Sequence, residues 1–254
     1  MLPAERHHRI LAMLVRGGVV GTEDLAKSLR VSSETVRRDL KLLERQRTLA
    51  RVHGGATSVF KTGQEPPYLD RAGIAPEAKT AIGRCAAQLV QPGMSVMIDV
   101  GTTTLEVARA LPEDYRGLVV TCSVVAAIEL VGRAGVEVIV SGGRLRTGDM
   151  ALSNHLTVQF FKDLRPDIAF LGSGGIDESA GLTDFHLDEV ITRRVVLAQA
   201  TQSYVLADSS KHGRVATHRV CGLDGFTGLI TDRMPSAGLA AGIKRSGGQV
   251  IVAS

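Results

Sequence analysis

The sequence predicts an α/β chain in two parts. Residues 1–57 read as a winged helix-turn-helix, 58–76 as a linker, and 77–254 as a mostly parallel α/β domain. Three observations predict this. Residues 21–40 read as two short helices across a tight turn. Lys and Arg outnumber Asp and Glu by 11 to 6 within residues 1–57 but number 19 against 20 over 58–254, so the basic excess sits wholly at the N-terminus. From residue 77 onward, short β-branched runs alternate with helix-like stretches.

Thr22 and Ser32 are both N-cap types standing before apolar-periodic runs, and Glu23, Asp24 and Glu34 supply acidic first turns that complement a helix dipole. Leu25, Ala26 and Leu29 share one face of the first predicted helix, and Val36, Leu40 and Leu43 share one face of the second. Both can then pack on an earlier helix carrying Ile10, Leu11 and Leu14. With that face buried, Glu34, Arg37, Arg38 and Lys41 turn outward, flanked by Ser33 and Thr35 near the helix start. Arginine bonds guanine bidentately and hydroxyls bond phosphates, so the pattern points to double-stranded DNA as a partner. A solvated basic face is the plainer alternative.

Residues 49–59 carry short β-type runs around Gly54-Gly55, which predicts a hairpin wing. Arg51 and His53 on it could touch phosphate or the minor groove, or serve the hairpin alone. A basic excess confined to this module suits a polyanionic partner. The linker contains Lys61-Thr62-Gly63-Gln64-Glu65-Pro66-Pro67, rich in loop formers and without periodicity.

In the larger part, strands are predicted over 95–100, 118–122, 136–140, 167–171, 203–207, 228–231 and 249–252. Such alternation argues a sheet covered on both faces, whose ligands bind beyond the carboxyl ends of the strands. Gly101-Thr102-Thr103-Thr104 lies at one such end, ahead of a helix-like run. Glycine allows close backbone approach, and amides and hydroxyls there can cradle a phosphate. It is not a Walker loop, no dinucleotide fingerprint follows the strand, and a plain turn fits as well. Ser123, Gly142, Gly143, Gly172 and Gly174 are expected at the same face, where small residues would leave room for a ligand or simply close tight loops. Opposite them, Asp177, Asp184, Glu189 and Lys211 are expected to handle hydroxyls, although Asp208 and Lys211 could instead pair at the surface.

Cys85, Cys122 and Cys221 lie far apart in apolar surroundings, which excludes a disulfide framework or closely spaced metal motif and predicts buried free thiols. No metal or cofactor is expected. No run reaches the roughly 18 to 20 apolar residues that span a bilayer, and the N-terminus has no cleavable apolar segment, so a cytoplasmic protein with no membrane partner is expected.

These residues together resemble the DeoR family of sugar-metabolism repressors. Its N-terminal signature is similar to Arg9 with Met13 followed by Ser32-Ser33-Glu34-Thr35-Val36-Arg37-Arg38-Asp39-Leu40, and its wing to Arg51-Val52-His53-Gly54-Gly55-Ala56. The resemblance continues in order through Asp99-Val100-Gly101-Thr102-Thr103-Thr104, Ser141-Gly142-Gly143, Leu171-Gly172-Ser173-Gly174-Gly175-Ile176-Asp177, Gly181-Leu182-Thr183 and Ala207-Asp208-Ser209-Ser210-Lys211. It implies a DNA-binding repressor of carbohydrate or polyol catabolic genes, released from its operator by a phosphorylated sugar or polyol and assembled as a dimer or tetramer. It also implies a sensor domain resembling ribose-phosphate isomerase in fold.

One departure is Cys122, where the family commonly has Asn between Thr and Ser. The run from Leu182 to Val190 resembles the corresponding segment of glycerol-3-phosphate repressors, which implies a small polyol phosphate. The rival reading is a working sugar-phosphate isomerase fused to a DNA-binding module. Against it, Gly175-Ile176-Asp177-Glu178 only partly echoes that enzyme's acidic cluster. An architectural DNA-bending protein would leave the strand-end loops unexplained.

Overall fold

The computed structural model describes residues 3–17, 19–45, 49–52, 54–58 and 65–254. They fall into two compact units, Met1–Ala75 and Pro76–Ser254. In the first, helices Pro3–Gly17, Thr22–Leu29 and Ser33–Arg45 enclose a core of Ile10, Leu14, Leu25, Leu29, Val36, Leu40 and Leu43. Helical periodicity in the sequence predicts all seven. Leu49–Val52 and Gly55–Ser58 form the expected antiparallel hairpin, and Leu49 and Ala56 close the same core. A third strand, Val19–Gly21, was not anticipated; it pairs with Gly55–Ser58.

That strand corrects the reading of Thr22. Gly21, not Thr22, holds the N-cap position, with no side-chain cap, and Thr22 is the first helical residue. The Thr22 amide donates to the Gly54 carbonyl at 2.8 Å, so the wing satisfies this first-turn donor. Ser32 does cap the next helix: its Oγ accepts from the Thr35 amide at 3.2 Å. A short helix, Tyr68–Ala72, lies within the stretch expected as linker.

In the second unit, the seven expected strands form one sheet. Its order is Gln249–Val252, Gly228–Thr231, Gln202–Leu206, Ile168–Leu171, Ser95–Ile98, Gly117–Thr121 and Val136–Val140, and every neighbouring pair is parallel. Side-chain alternation loads both faces. Val96, Ile98, Val119 and Phe170 pack with Ile82, Leu105, Ala108 and Leu130, whereas Met97, Val120, Ala169 and Leu171 pack with Phe161 and Val196. A smaller antiparallel sheet, Gly175–Asp177, Gly181–Asp184 and His218–Cys221, and a hairpin of Arg144–Arg146 with Ala151–Ser153 extend from the loops. Of the three thiols expected to be buried, Cys122 is, but Cys85 and Cys221 are only partly covered. No helix among the described residues is long and apolar enough to cross a membrane.

Candidate functional site

Helix Ser33–Arg45 carries the first candidate surface. Val36, Leu40 and Leu43 are inside, Arg37, Arg38 and Lys41 are exposed, and Ser33 and Thr35 are half-buried near the helix start. Among the described residues Arg37 makes only an exposed 3.3 Å contact with Glu34. On the wing, Arg51 is exposed and its amide bonds Glu44 at 3.3 Å, while its guanidinium lies 3.8 Å from the same carboxylate. An exposed pair of this kind is worth about 0–1 kcal/mol and leaves the arginine free to move. His53 lies outside the described residues. Sequence reasoning missed Asp39, which is buried on this helix and bonded by Arg6 and His7.

At the carboxyl end of Ser95–Ile98, the Gly101 backbone has φ +151°, a conformation open to glycine. Thr104 is fully buried and donates its hydroxyl to the Gly101 carbonyl at 3.1 Å, so that hydroxyl is committed to the turn. Thr102 and Thr103 differ. Their hydroxyls bond to no described residue, although both side chains are largely enclosed. Ser123 is a helix cap, its Oγ accepting from the Ala126 amide at 3.2 Å.

The strand-end glycines do not leave ligand room as expected. A Cβ on Gly143 would stand 2.4 Å from Thr157 Oγ1. On Gly172 it would stand 2.9 Å from the Val100 carbonyl and 3.3 Å from Arg193, and on Gly174 2.9 Å from Asp184 Cα. Protein atoms fill these spaces, and the missing side chains permit close packing. Gly142 is less crowded, its nearest neighbour being Leu156 Cβ at 3.9 Å.

The acids are also redistributed. Arg193, 2% exposed, binds Asp99 at 2.6 Å, Glu189 at 3.0 Å, and Asp184. Asp99 further accepts the Gly172 amide at 3.0 Å, and Cys122 Sγ stands 3.7 Å from it. Arg146 reaches Glu189 from the hairpin and bonds Asp149 at 2.9 Å. Asp184 and Glu189, expected to face hydroxyls, therefore serve a buried ion cluster. Burial pushes the Asp184 carboxyl up, but Arg193 and the Phe185 and His186 amides outweigh it and hold it below its ordinary value. Burial and Asp99 push the Cys122 thiol far up, so the residue in the family's Asn position is an inert interior thiol.

Asp177 is committed to a turn. It closes the hairpin turn of the small sheet, accepting from the Ala180 and Ser179 amides and the Ser179 hydroxyl, which lower its pKa. Lys211 ends a short 3-10 turn, Ser209–Lys211, whose cap is Asp208. Asp208 is buried rather than at the surface: one oxygen accepts from the Ser210 amide at 3.0 Å and the other has no hydrogen-bond partner among the described residues. Two surface cavities of about 360 and 330 Å³ involve other residues, among them Arg109 and Arg133, and Arg219 and Arg245. Neither touches the strand-end loops.

Sequence reasoning missed Asp99, Arg146 and Arg193. A signal for Arg193 existed: an arginine three residues from both Val190 and Val196 on a buried helix face, and four from Glu189. Chemically, a proton-shuttling carboxylate needs a pKa raised toward neutrality and a free oxygen facing substrate. Asp184 and Asp177 are shifted the other way, and Asp99 and Glu189 are bound to arginine.

Family comparison covers both units. Residues 6–62 match the model of the DeoR-like helix-turn-helix domain, and residues 74–233 match that of the DeoR C terminal sensor domain. The chain belongs to the DeoR family. It is 32% identical over 235 residues to the glycerol-3-phosphate regulon repressor of Escherichia coli (strain K12), covering 92% of this chain and 93% of that one. With the HTH-type transcriptional regulator GlpR of Haloferax volcanii it shares 35% over 251 residues, 99% of this chain and 98% of the relative. Among solved structures it is similar to ribose 5-phosphate isomerase A from Methanocaldococcus jannaschii, with a TM-score of 0.40, 19% identity and 54% of each chain covered. This DeoR-family protein is thus a DNA-binding transcriptional regulator with a C-terminal sugar-sensing domain, not an enzyme.

Proposed function

We propose that this regulator represses genes for carbohydrate or polyol breakdown and leaves its operator when a phosphorylated sugar or polyol binds the sensor unit. Arg37, Arg38 and Lys41 read the major groove, with Ser33 and Thr35 positioned for phosphate and Arg51 at the backbone beside them. Thr102 and Thr103 receive the effector's phosphate. The observation that carries this site is their pair of hydroxyls, unused by the described chain at the end of a central parallel strand. The unpartnered Asp208 oxygen supports a second, hydroxyl-accepting contact, since a buried acceptor without a donor costs about 1–3 kcal/mol. Lys211 supplies positive charge from the same strand-end loops. Relatives described as repressors of glycerol-3-phosphate and aga genes support a sugar- or polyol-derived effector. Assembly as a homo-oligomer, expected from the family, would pair two recognition helices on one duplex.

A panel of phosphorylated pentoses, hexoses and polyols, read by thermal shift and by operator release, tests the proposal. One member should raise the melting temperature through mass action and release DNA unchanged in structure itself. A stabilising ligand that leaves operator affinity unaltered, or release by the unphosphorylated sugar at equal concentration, would reject it.

A further inference from the structure

We propose that Asp39 is the positioning residue of the DNA-reading helix. Held by Arg6 and His7, it fixes the rotation at which Arg37, Arg38 and Lys41 meet the groove. This rests on the assignment of helix Ser33–Arg45 to the major groove.

Asp39 stands at the rim of that helix's apolar face, 5% exposed, and three donors from helix Pro3–Gly17 converge on its carboxylate. Arg6 Nε donates to Oδ2 at 2.5 Å, Arg6 Nη2 donates to Oδ1 at 2.9 Å, and His7 Nε2 lies 2.9 Å from Oδ1. Both oxygens are used, and the arginine fork is bidentate. Burial pushes the carboxyl up, but the Arg6 and His7 bonds outweigh it and hold it below its ordinary value, so it is ionised when it binds. The Arg6 guanidinium is correspondingly pushed up, chiefly by its bond to Asp39.

Apolar contacts decide which face of this helix is buried but set its rotation only coarsely. Val36, Leu40 and Leu43 bury area, and burial is nondirectional. A planar fork on a carboxylate is directional in both distance and angle. The tolerance is small: with side-chain tips about 5.5 Å from the helix axis, a rotation of about 20° moves them by about 2 Å, enough to break a base-edge hydrogen bond. The clamp also neutralises a negative charge directly beside Arg38, which would otherwise weaken the attraction of that helix for phosphate. The side chain required is therefore Asp. Asn offers one acceptor and turns an amide donor toward the second guanidinium N–H.

The test uses the full chain and two duplexes: a site selected by the wild-type protein from a randomised pool, and a scrambled duplex of equal length. Arg6→Lys keeps the charge and loses the fork; Asp39→Asn keeps the shape and loses the second acceptor. In both, the ratio of selected-site to scrambled affinity should fall tenfold or more, while scrambled affinity and its salt slope are undiminished, because phosphate contacts survive a small rotation. A side chain needed only for folding would lower both affinities together. That result in both variants, or an unchanged ratio in either, overturns the proposal. Arg37→Ala and Arg38→Ala run in parallel: full selected-site affinity in both overturns the groove assignment itself, whereas loss there with an unchanged ratio in Arg6→Lys overturns the clamp alone.

Discussion

Arg193→Met removes the cation that Asp99, Asp184 and Glu189 share inside the sensor unit. Stranding a buried charge by deleting its partner costs ~3–5 kcal/mol. The lower end applies here because each acid keeps a donor: the Gly172 amide for Asp99, the Phe185 and His186 amides for Asp184, and Arg146 for Glu189. For a unit of this size each kcal/mol is worth roughly 2–4 °C, so ~3 kcal/mol lowers the melting temperature by roughly 6–12 °C at neutral pH. The pH dependence carries its own sign. In the variant, buried carboxyls without a cation have folded pKa values raised above their unfolded values. Their cost is felt at higher pH and relieved as pH falls toward those values. In the wild type the Asp184 carboxyl is lowered, so its contribution is complete above the unfolded value of ~3.9 and is lost only as pH falls through the lower folded value. The gap between the two proteins should therefore narrow from pH 7.5 to 5.5. Calorimetry of the sensor transition at both pH values measures it. A deficit under roughly 2 °C, or one that widens as pH falls, would refute the reasoning.

Arg37→Ala and Arg38→Ala should each weaken operator binding by ~1–3 kcal/mol without changing the melting temperature, as a mobility-shift titration beside a thermal scan would show. Leu40→Ala should do the reverse, costing the small unit ~2–5 kcal/mol through a core cavity and losing DNA by unfolding. Thr102→Val with Thr103→Val should bind operator fully yet resist the inducing phosphate. Normal release in a titration of that complex would place the phosphate elsewhere. Operator must also weaken effector binding by the same factor by which effector weakens operator binding, which calorimetric titration with and without the duplex checks.

The N-terminal module was legible from the chain because its evidence is local. Ser32 lies three residues before the amide it caps, and Val36, Leu40 and Leu43 recur at helical spacing, so burial of one face dictates exposure of Arg37, Arg38 and Lys41. The seven parallel strands were legible for a similar reason, since strands buried on both faces read as short β-branched runs. Thr22 failed as a cap because the helix begins at it, directly after strand Val19–Gly21, whose pairing with Gly55–Ser58 has no local signature. The strand-end loops were located by sequence, but the division of labour among their residues was not. Gly143, Gly172 and Gly174 have the same appearance whether a ligand or a neighbouring side chain occupies the space beside them. Arg193 meets Asp99 across 94 positions and Arg6 meets Asp39 across 33. No periodicity links such residues; they are joined only when helices and strand ends converge, and in a low-dielectric interior that convergence decides which carboxylates are neutralised by arginine and which hydroxyls have no partner among the described residues.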